Sequence, residues 1–153
     1  MEKAPYTLAD IIQLTLDALA LYEHDIERYR QFVPGNYNNV AYFSAYDRQS
    51  PGFDLKLARE YLDKLVAILP RDQWTSDPEY FHTEAFVLFR EYEDLGPEAP
   101  AAKRMERLKT ALDAVSRADE INHSESYGDL KRKIKQEMRQ IKPVMAQAGK
   151  AIS

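Results

Sequence analysis

Apolar residues recur along most of this chain at alternating steps of three and four positions, the spacing of a helix with one buried face. The first such segment begins after Thr7, a predicted N-cap with Asp10 as its capping-box partner, and is predicted to end at Pro34-Gly35. Its stripe consists of Leu8, Ile12, Thr15, Leu19, Tyr22, Ile26, Tyr29 and Val33. The stripe is widened by Ile11, Leu14, Leu16, Ala18 and Leu21. So broad an apolar surface favours packing against several neighbours.

Three further helices are predicted over residues 54–69, 76–95 and 101–121. Ser76 and Glu79 predict a capping box around Pro78 at the start of the second of these helices. Gly96-Pro97 is predicted to end that helix.

The last segment has the most regular period and a proline inside it. Its stripe is Tyr127, Leu130, Ile134, Met138, Ile141, Met145, Ala148 and Ile152. Pro143 removes one backbone donor and predicts a kink. No segment alternates as a strand would. The sequence therefore predicts an all-α protein, a single-domain antiparallel helical bundle of about five helices over residues 1–153.

One predicted connection is long and aromatic. Residues 34–53 separate the first two helices and contain Tyr37, Tyr42, Phe43, Tyr46 and Phe53. A structureless loop of this length is uncommon in a compact domain, so it either contains a short helix, for instance over residues 40–46, or has a function. Its aromatic residues either cap the bundle or form a contact surface, for which tyrosine is well suited.

Charge is divided unequally along the chain. Residues 1–100 have a net charge of −9, whereas residues 101–153 have a net charge of +5. Much of the positive charge lies on the last helix, where Lys131, Lys135, Arg139 and Lys142 form a band beside the apolar stripe. Such an asymmetry favours either a basic helix packed on an acidic body or a basic helix offered to an acidic partner.

The composition is that of a globular protein, with 44% apolar and 30% charged residues. There is no cysteine, which excludes disulfides, thiolate metal sites and a cysteine nucleophile. No signal peptide is evident, and the longest apolar run is too short to cross a bilayer. We expect a cytoplasmic protein that does not bind membranes.

Two Glu-x-x-His tetrads raise the possibility of a metal site. Glu79/His82 and Glu120/His123 have the i, i+3 spacing that ferritin-like di-metal proteins use. Measured from the turn at Gly96, however, the two histidines differ in level by roughly 13 Å, too far for one centre. We therefore predict neither a metal nor another cofactor. His24 is expected at the surface and His82 partly buried, while Asp119 is placed to bond His123.

Arg117 and His123 are separated by five residues just before the last helix, a spacing that resembles the Arg-x(4–6)-His signature of HEPN-type ribonucleases. Those enzymes are all-α bundles whose arginine and histidine line a cleft across a dimer. The resemblance implies a ribonuclease acting through Arg117 and His123. Ala118 departs from the polar residue that usually follows the arginine in that family.

The basic band is the more informative feature. It predicts either a solvated outer face or a binding surface, and weak nucleic-acid binding is a further alternative. Because the protein is acidic overall, with a pI near 5.4, nucleic acid is not the expected partner. We expect a small helical interaction module, an adaptor, subunit or inhibitor-like protein without enzymatic activity, that binds another protein or itself. The predicted contact residues are Lys131, Lys135, Arg139, Lys142, Tyr37, Tyr42, Phe43 and Tyr46.

Overall fold

A computed structural model of the protein describes residues 6–152, with side chains through Gln147. Over this range the chain forms α-helices and short 3-10 turns without strands, which confirms the all-α prediction. The α-helices are α1 (Leu8–His24), α2 (Ile26–Tyr29), α3 (Val33–Tyr46), α4 (Leu55–Ile68), α5 (Pro78–Leu95), α6 (Ala101–Ile121) and α7 (Glu125–Ile152). The chain divides into two compact units, Met1–Trp74 and Thr75–Ser153. That residues 1–153 fold as one domain stays a prediction.

The first unit is built around α3, which packs against both α1 and α4. The capping box predicted at the start of α1 is confirmed. Thr7 Oγ1 accepts from the Asp10 amide at 3.2 Å, and the Thr7 amide donates to the Asp10 carboxylate at 3.0 Å. Trp74 closes the unit with its ring fully buried, and its Nε1 donates to the Leu69 carbonyl at 2.7 Å.

The long loop predicted over residues 34–53 is wrong for residues 34–46. The alternative of a short helix over residues 40–46 is confirmed, as part of a longer helix. Helix α1 ends at His24, because Asp25 leaves the helical conformation with φ −138° and ψ 69°. After α2 and a 3-10 turn, α3 starts at Val33 and places Pro34 in its first turn. Proline is favoured at that position since its fixed φ suits the helix and its missing donor has no partner to lose there. Pro34 therefore begins a helix, and the connection shrinks to residues 47–54.

Within that shorter connection, Gly52 lies directly against the start of α1. A Cβ atom at this position would lie 2.8 Å from the Ala9 amide nitrogen and 3.0 Å from its Cα. Backbone atoms cannot move aside as a side chain does. A glycine is therefore required where the connection crosses α1.

The second unit consists of α5, α6 and α7, with α6 packed against both of the other helices. Side-chain contacts show that α5 and α6 run in opposite directions, since Arg107 pairs with Glu91 at 3.4 Å and Arg117 lies over Phe81 at 5.8 Å. The core of this unit includes Phe81, Ala85, Leu88, Phe89, Met105, Leu108, Ala111, Val115, Ala118, Tyr127, Leu130, Ile134 and Ile141. The arrangement of all helices as one antiparallel bundle stays a prediction.

The capping box predicted at Ser76 is wrong. Asp77 is the N-cap of α5, without a side-chain capping bond, and Pro78 is the first helical residue. Glu79 instead accepts a hydrogen bond from the Tyr127 hydroxyl at 2.6 Å. The Glu79 carboxylate, which the local pattern predicts to cap α5, therefore bonds to α7 instead.

Within residues 6–152, none of the helices combines the length and the apolar character that crossing a bilayer requires.

Candidate functional site

The first four turns of α7 are part of the core of the second unit. Tyr127, Leu130, Ile134 and Ile141 are all buried, with Ile134 fully inaccessible. These residues follow the predicted stripe, so its inward face is confirmed up to Ile141. Beyond that residue the pattern continues in the sequence but its burial does not.

Helix α7 is longer than the helices on which it packs. Tyr92 in the last turn of α5 donates to the Glu137 carboxylate at 2.9 Å. Arg104 in the first turn of α6 lies 5.9 Å from the same tyrosine ring. Glu137 is thus level with the ends of both neighbouring helices. One turn later, near Ile141, α7 passes the connection between α5 and α6.

Residues 142–152 therefore extend past the other helices of this unit, and we call them the α7 overhang. At 1.5 Å per residue they span roughly 15 Å. Val144 is 51% exposed and Met145 is 36% exposed, and the other described side chains of the overhang are exposed too. The prediction that Met145 is a core residue is wrong, because no helix of the unit reaches its level. Ala148 and Ile152, also predicted in the core, lie outside the described side chains.

Pro143 lies inside α7, and the helix continues past it. The proline leaves the backbone carbonyl of Arg139, four residues earlier, without a helical amide partner. The predicted kink stays a prediction.

The basic band runs along α7 into the overhang. Lys131 is half-buried and its Nζ lies 3.7 Å from the Asp119 carboxylate of α6. Lys135, Arg139 and Lys142 are exposed. The first residue of the band thus helps to join α7 to α6, and the other three are accessible. The chain contains no Asp or Glu after Glu137, so the overhang has basic charge alone.

A second exposed apolar surface lies on α1. Only Ile12 and Leu19 of this helix are buried. Leu14 is 55% exposed and Leu21 is 71% exposed, although the sequence favoured several neighbours around them. The two leucines are seven residues apart and lie on one side of the helix, with half-buried Ala18 between them.

Acidic residues lie on the same side of α1. Asp10 precedes Leu14 by four positions and Asp17 precedes Leu21 by four, so each carboxylate lies about one turn from a leucine. We call Asp10, Leu14, Asp17, Ala18 and Leu21 the outer face of α1. Residues 4–27 include five Asp or Glu and no Lys or Arg. The outer face is therefore both apolar and acidic.

The predicted aromatic contact residues separate into two groups. Tyr37 is buried in the core of the first unit, with its ring edge-on to Tyr61 at 5.7 Å, so it is not placed to contact a partner. Tyr42 contacts both Phe43 and Tyr46, with ring centroids 5.6 Å and 5.5 Å away. Tyr46 is 48% exposed. Tyr42, Phe43 and Tyr46 thus form a partly exposed aromatic cluster at the end of α3.

A buried polar group lies where α5 meets the start of α7. His82 is buried and its ring lies 4.8 Å from that of Tyr127, while Tyr127 donates to Glu79. Burial lowers the pKa of His82 below its ordinary value, and the nearby Glu79 carboxylate opposes that shift. His82 is therefore a neutral core residue near pH 7. His82 is thus more deeply buried than the predicted partial burial.

The residues of the ribonuclease resemblance are both exposed. His123 Nδ1 lies 2.7 Å from the Asp119 carboxylate, which confirms the expected pairing. That hydrogen bond, helped by Lys131, holds the pKa of Asp119 below its usual range. Arg117 pairs with Asp113 at 3.8 Å. The arginine and the histidine are thus engaged by different carboxylates of α6.

The two Glu-x-x-His tetrads are not assembled into a metal site. Glu79 is bonded to Tyr127 and His123 to Asp119. Among the side chains through Gln147, no group of three or more His, Asp or Glu is placed to hold a metal ion.

Comparison with protein-family models found no family that matches the chain, and comparisons with curated proteins and with solved structures found no match either.

The apolar pattern of the sequence did not predict that Leu14, Leu21, Val144 and Met145 are exposed. Periodicity identifies the residues that share a face, but it does not show whether a neighbour covers that face. Two signals in the sequence pointed to these surfaces. Residues 4–27 contain a broad apolar stripe but no Lys or Arg. The apolar pattern of the last helix is longer than the predicted helices over residues 76–95 and 101–121.

Proposed function

We propose that this protein is a small helical interaction module, an adaptor, subunit or inhibitor-like protein, that acts by binding protein through the α7 overhang and the basic band. The observation that carries this proposal is the exposure of Val144 and Met145 on a helix whose preceding turns are anchored in a core. An exposed apolar surface beside charged residues is typical of interaction sites.

The physical basis is pre-organisation. An isolated helix of eleven residues is marginal in water, because nucleation is costly. The α7 overhang continues a helix whose first turns are buried, so the nucleus is supplied by the fold. A partner that binds it does not need to order a disordered segment, and less binding free energy is lost.

The chemistry of the overhang favours a partner that is apolar and acidic. Lys135, Arg139 and Lys142 are exposed on the approach to Val144 and Met145. An amphipathic helix of this kind is recognised by an apolar groove or helix face with carboxylates at its border. The aromatic cluster of Tyr42, Phe43 and Tyr46 is a second, smaller surface, on the first unit, through which a partner could bind.

Site-specific photo-crosslinking tests this proposal. A photoreactive amino acid is placed at Val144 in the full chain, and the protein is added to an extract of the cells that encode it. The control places the same group at Lys109, an exposed residue of α6. We expect a discrete protein adduct from position 144 that is weak or missing from position 109.

Charge reversal tells specific adducts from adventitious ones. Lys135→Glu together with Arg139→Glu should reduce the adduct from position 144, because the electrostatic attraction is lost while the apolar side chains remain. If position 144 yields no more adduct than position 109, with this protein or any other, the proposed function is contradicted.

A further inference from the structure

Two of the exposed apolar surfaces among the described side chains have opposite charge. The outer face of α1 combines Leu14 and Leu21 with Asp10 and Asp17. The α7 overhang combines Val144 and Met145 with Lys142, and no Asp or Glu follows Glu137. Each surface presents what the other lacks.

Their lengths match as well. Asp10 to Leu21 spans roughly 16 Å along α1, and residues 142–152 span roughly 15 Å along α7. On α1 the leucines share one side with Asp10 and Asp17. On α7, Met145 lies three positions after Lys142 and shares its side, whereas Val144 lies about 100° round the helix from Met145. Two helices with these features can pair where a leucine meets Met145 and a carboxylate meets Lys142, with Val144 at the edge of the contact.

We infer that the partner of the α7 overhang is the outer face of α1 on a second copy of this chain. This inference rests on the proposed function and names its partner. Like charges oppose a pairing of two α1 faces or of two overhangs, so the contact joins different surfaces of the two copies. Each copy has both surfaces and can therefore offer either one to another copy.

One such contact between short helix segments buries less than the roughly 1,200–2,000 Å² of a stable protein interface. Association is therefore concentration dependent, with a dissociation constant on the order of micromolar. Added salt weakens it, because the charges involved are exposed and are screened.

Light scattering on the full chain over a range of concentrations tests the inference. The wild-type protein should rise in molar mass with concentration. Leu14→Lys with Leu21→Lys should weaken association by about tenfold or more, because it removes apolar contact and opposes the overhang with like charge. Val144→Glu with Met145→Glu should do the same from the other side of the contact.

Matched controls place the same charges elsewhere on the same helices. Ala20→Lys on α1 and Gln136→Glu on α7 change exposed residues away from the apolar positions. Both should associate as the wild type does. All variants should keep the helical circular dichroism of the wild type, since every changed residue is exposed or partly exposed.

Mixing provides the decisive result. The α1 variant keeps an intact overhang, and the overhang variant keeps an intact outer face. Each alone should be monomeric where the wild type associates, and their mixture should form a one-to-one complex. A mixture that stays monomeric overturns the inference, as does a wild-type protein that is monomeric throughout.

The proposed function is tested separately. A crosslink from Val144 to a different protein, with no self-association, would overturn the second-copy partner and leave the interaction module intact. Absence of every crosslink above the Lys109 control would contradict both. Crosslinking to α1 of this same protein, together with successful mixing, supports both.

Discussion

Helix α7 has two parts that look alike in sequence and differ in surroundings. From Tyr127 to Ile141 the apolar stripe is buried against α6 and α5, except for half-buried Met138. From Lys142 onward the same spacing brings Met145 into line with the stripe, but more than a third of its surface is exposed. The difference lies in the lengths of the neighbouring helices. An amphipathic pattern describes one helix, and burial depends on a second element that reaches the same level.

The difference between the buried and the exposed part of α7 is tested most strongly at Ile134. This residue is fully buried in the middle of the first part of α7. Ile134→Ala should lower the free energy of unfolding by about 2–5 kcal/mol, through lost burial and the cavity left behind. Chemical denaturation of the full chain measures this loss. A change below about 1 kcal/mol would mean that the core of the second unit is not formed around this stripe.

A hydrogen bond between helices sharpens the same comparison. Tyr127→Phe removes the hydroxyl that donates to Glu79 and should destabilise the protein by about 1 kcal/mol. In the background of Glu79→Gln the same change should cost less, since the charged acceptor is gone. A double-mutant cycle measures this coupling. Equal losses in both backgrounds would show that the charge of Glu79 adds nothing to the bond, because glutamine keeps an acceptor oxygen.

The buried histidine makes this end of α7 sensitive to pH. Burial lowers the pKa of His82 in the folded protein, against the opposing effect of the Glu79 carboxylate. As pH falls below the unfolded value of about 6.5, the unfolded chain binds more protons than the folded one, so stability is lost.

His82→Gln should remove this part of the loss, because glutamine is neutral throughout. Unfolding free energies from neutral pH to about pH 5 provide the test, with exposed His24→Gln as the matched control. Parallel profiles for wild type and His82→Gln would contradict the assignment.

The smallest effect is expected in the overhang. Met145→Ala should change the free energy of unfolding by no more than about 0.5 kcal/mol, measured below the concentration at which the protein associates. Met145 lies on the same side of the helix as Ile134. The two substitutions therefore compare a buried and an exposed residue of one apolar stripe. A loss as large as that of Ile134→Ala would show that a neighbour covers Met145.

The sequence was sufficient for features decided by local physics. The capping box at Thr7, the start of α4 after Asp54 and the extent of α6 followed from side chains within a few residues of each helix end. The inward face of α7 up to Ile141 followed from a period that only a helix produces.

Features decided by tertiary contacts were not predictable in this way. Pro34 suits both the end of one helix and the start of the next, and the pattern alone favoured the end. Glu79 was assigned to a helix cap, yet it is bonded to Tyr127, 48 residues away. Leu14 and Leu21 were expected in contact with neighbours, because apolar residues on a wide stripe usually are.

The two parts of α7 differ most directly in the hydrogen exchange of their backbone amides. At a concentration where the protein is monomeric, amides of residues 130–141 should exchange slowly, and those of residues 142–152 should exchange much faster. Raising the concentration should slow exchange in the overhang and in residues 10–21 of α1 together. Overhang amides that are as protected as those of residues 130–141 in dilute monomer would contradict an exposed interaction helix.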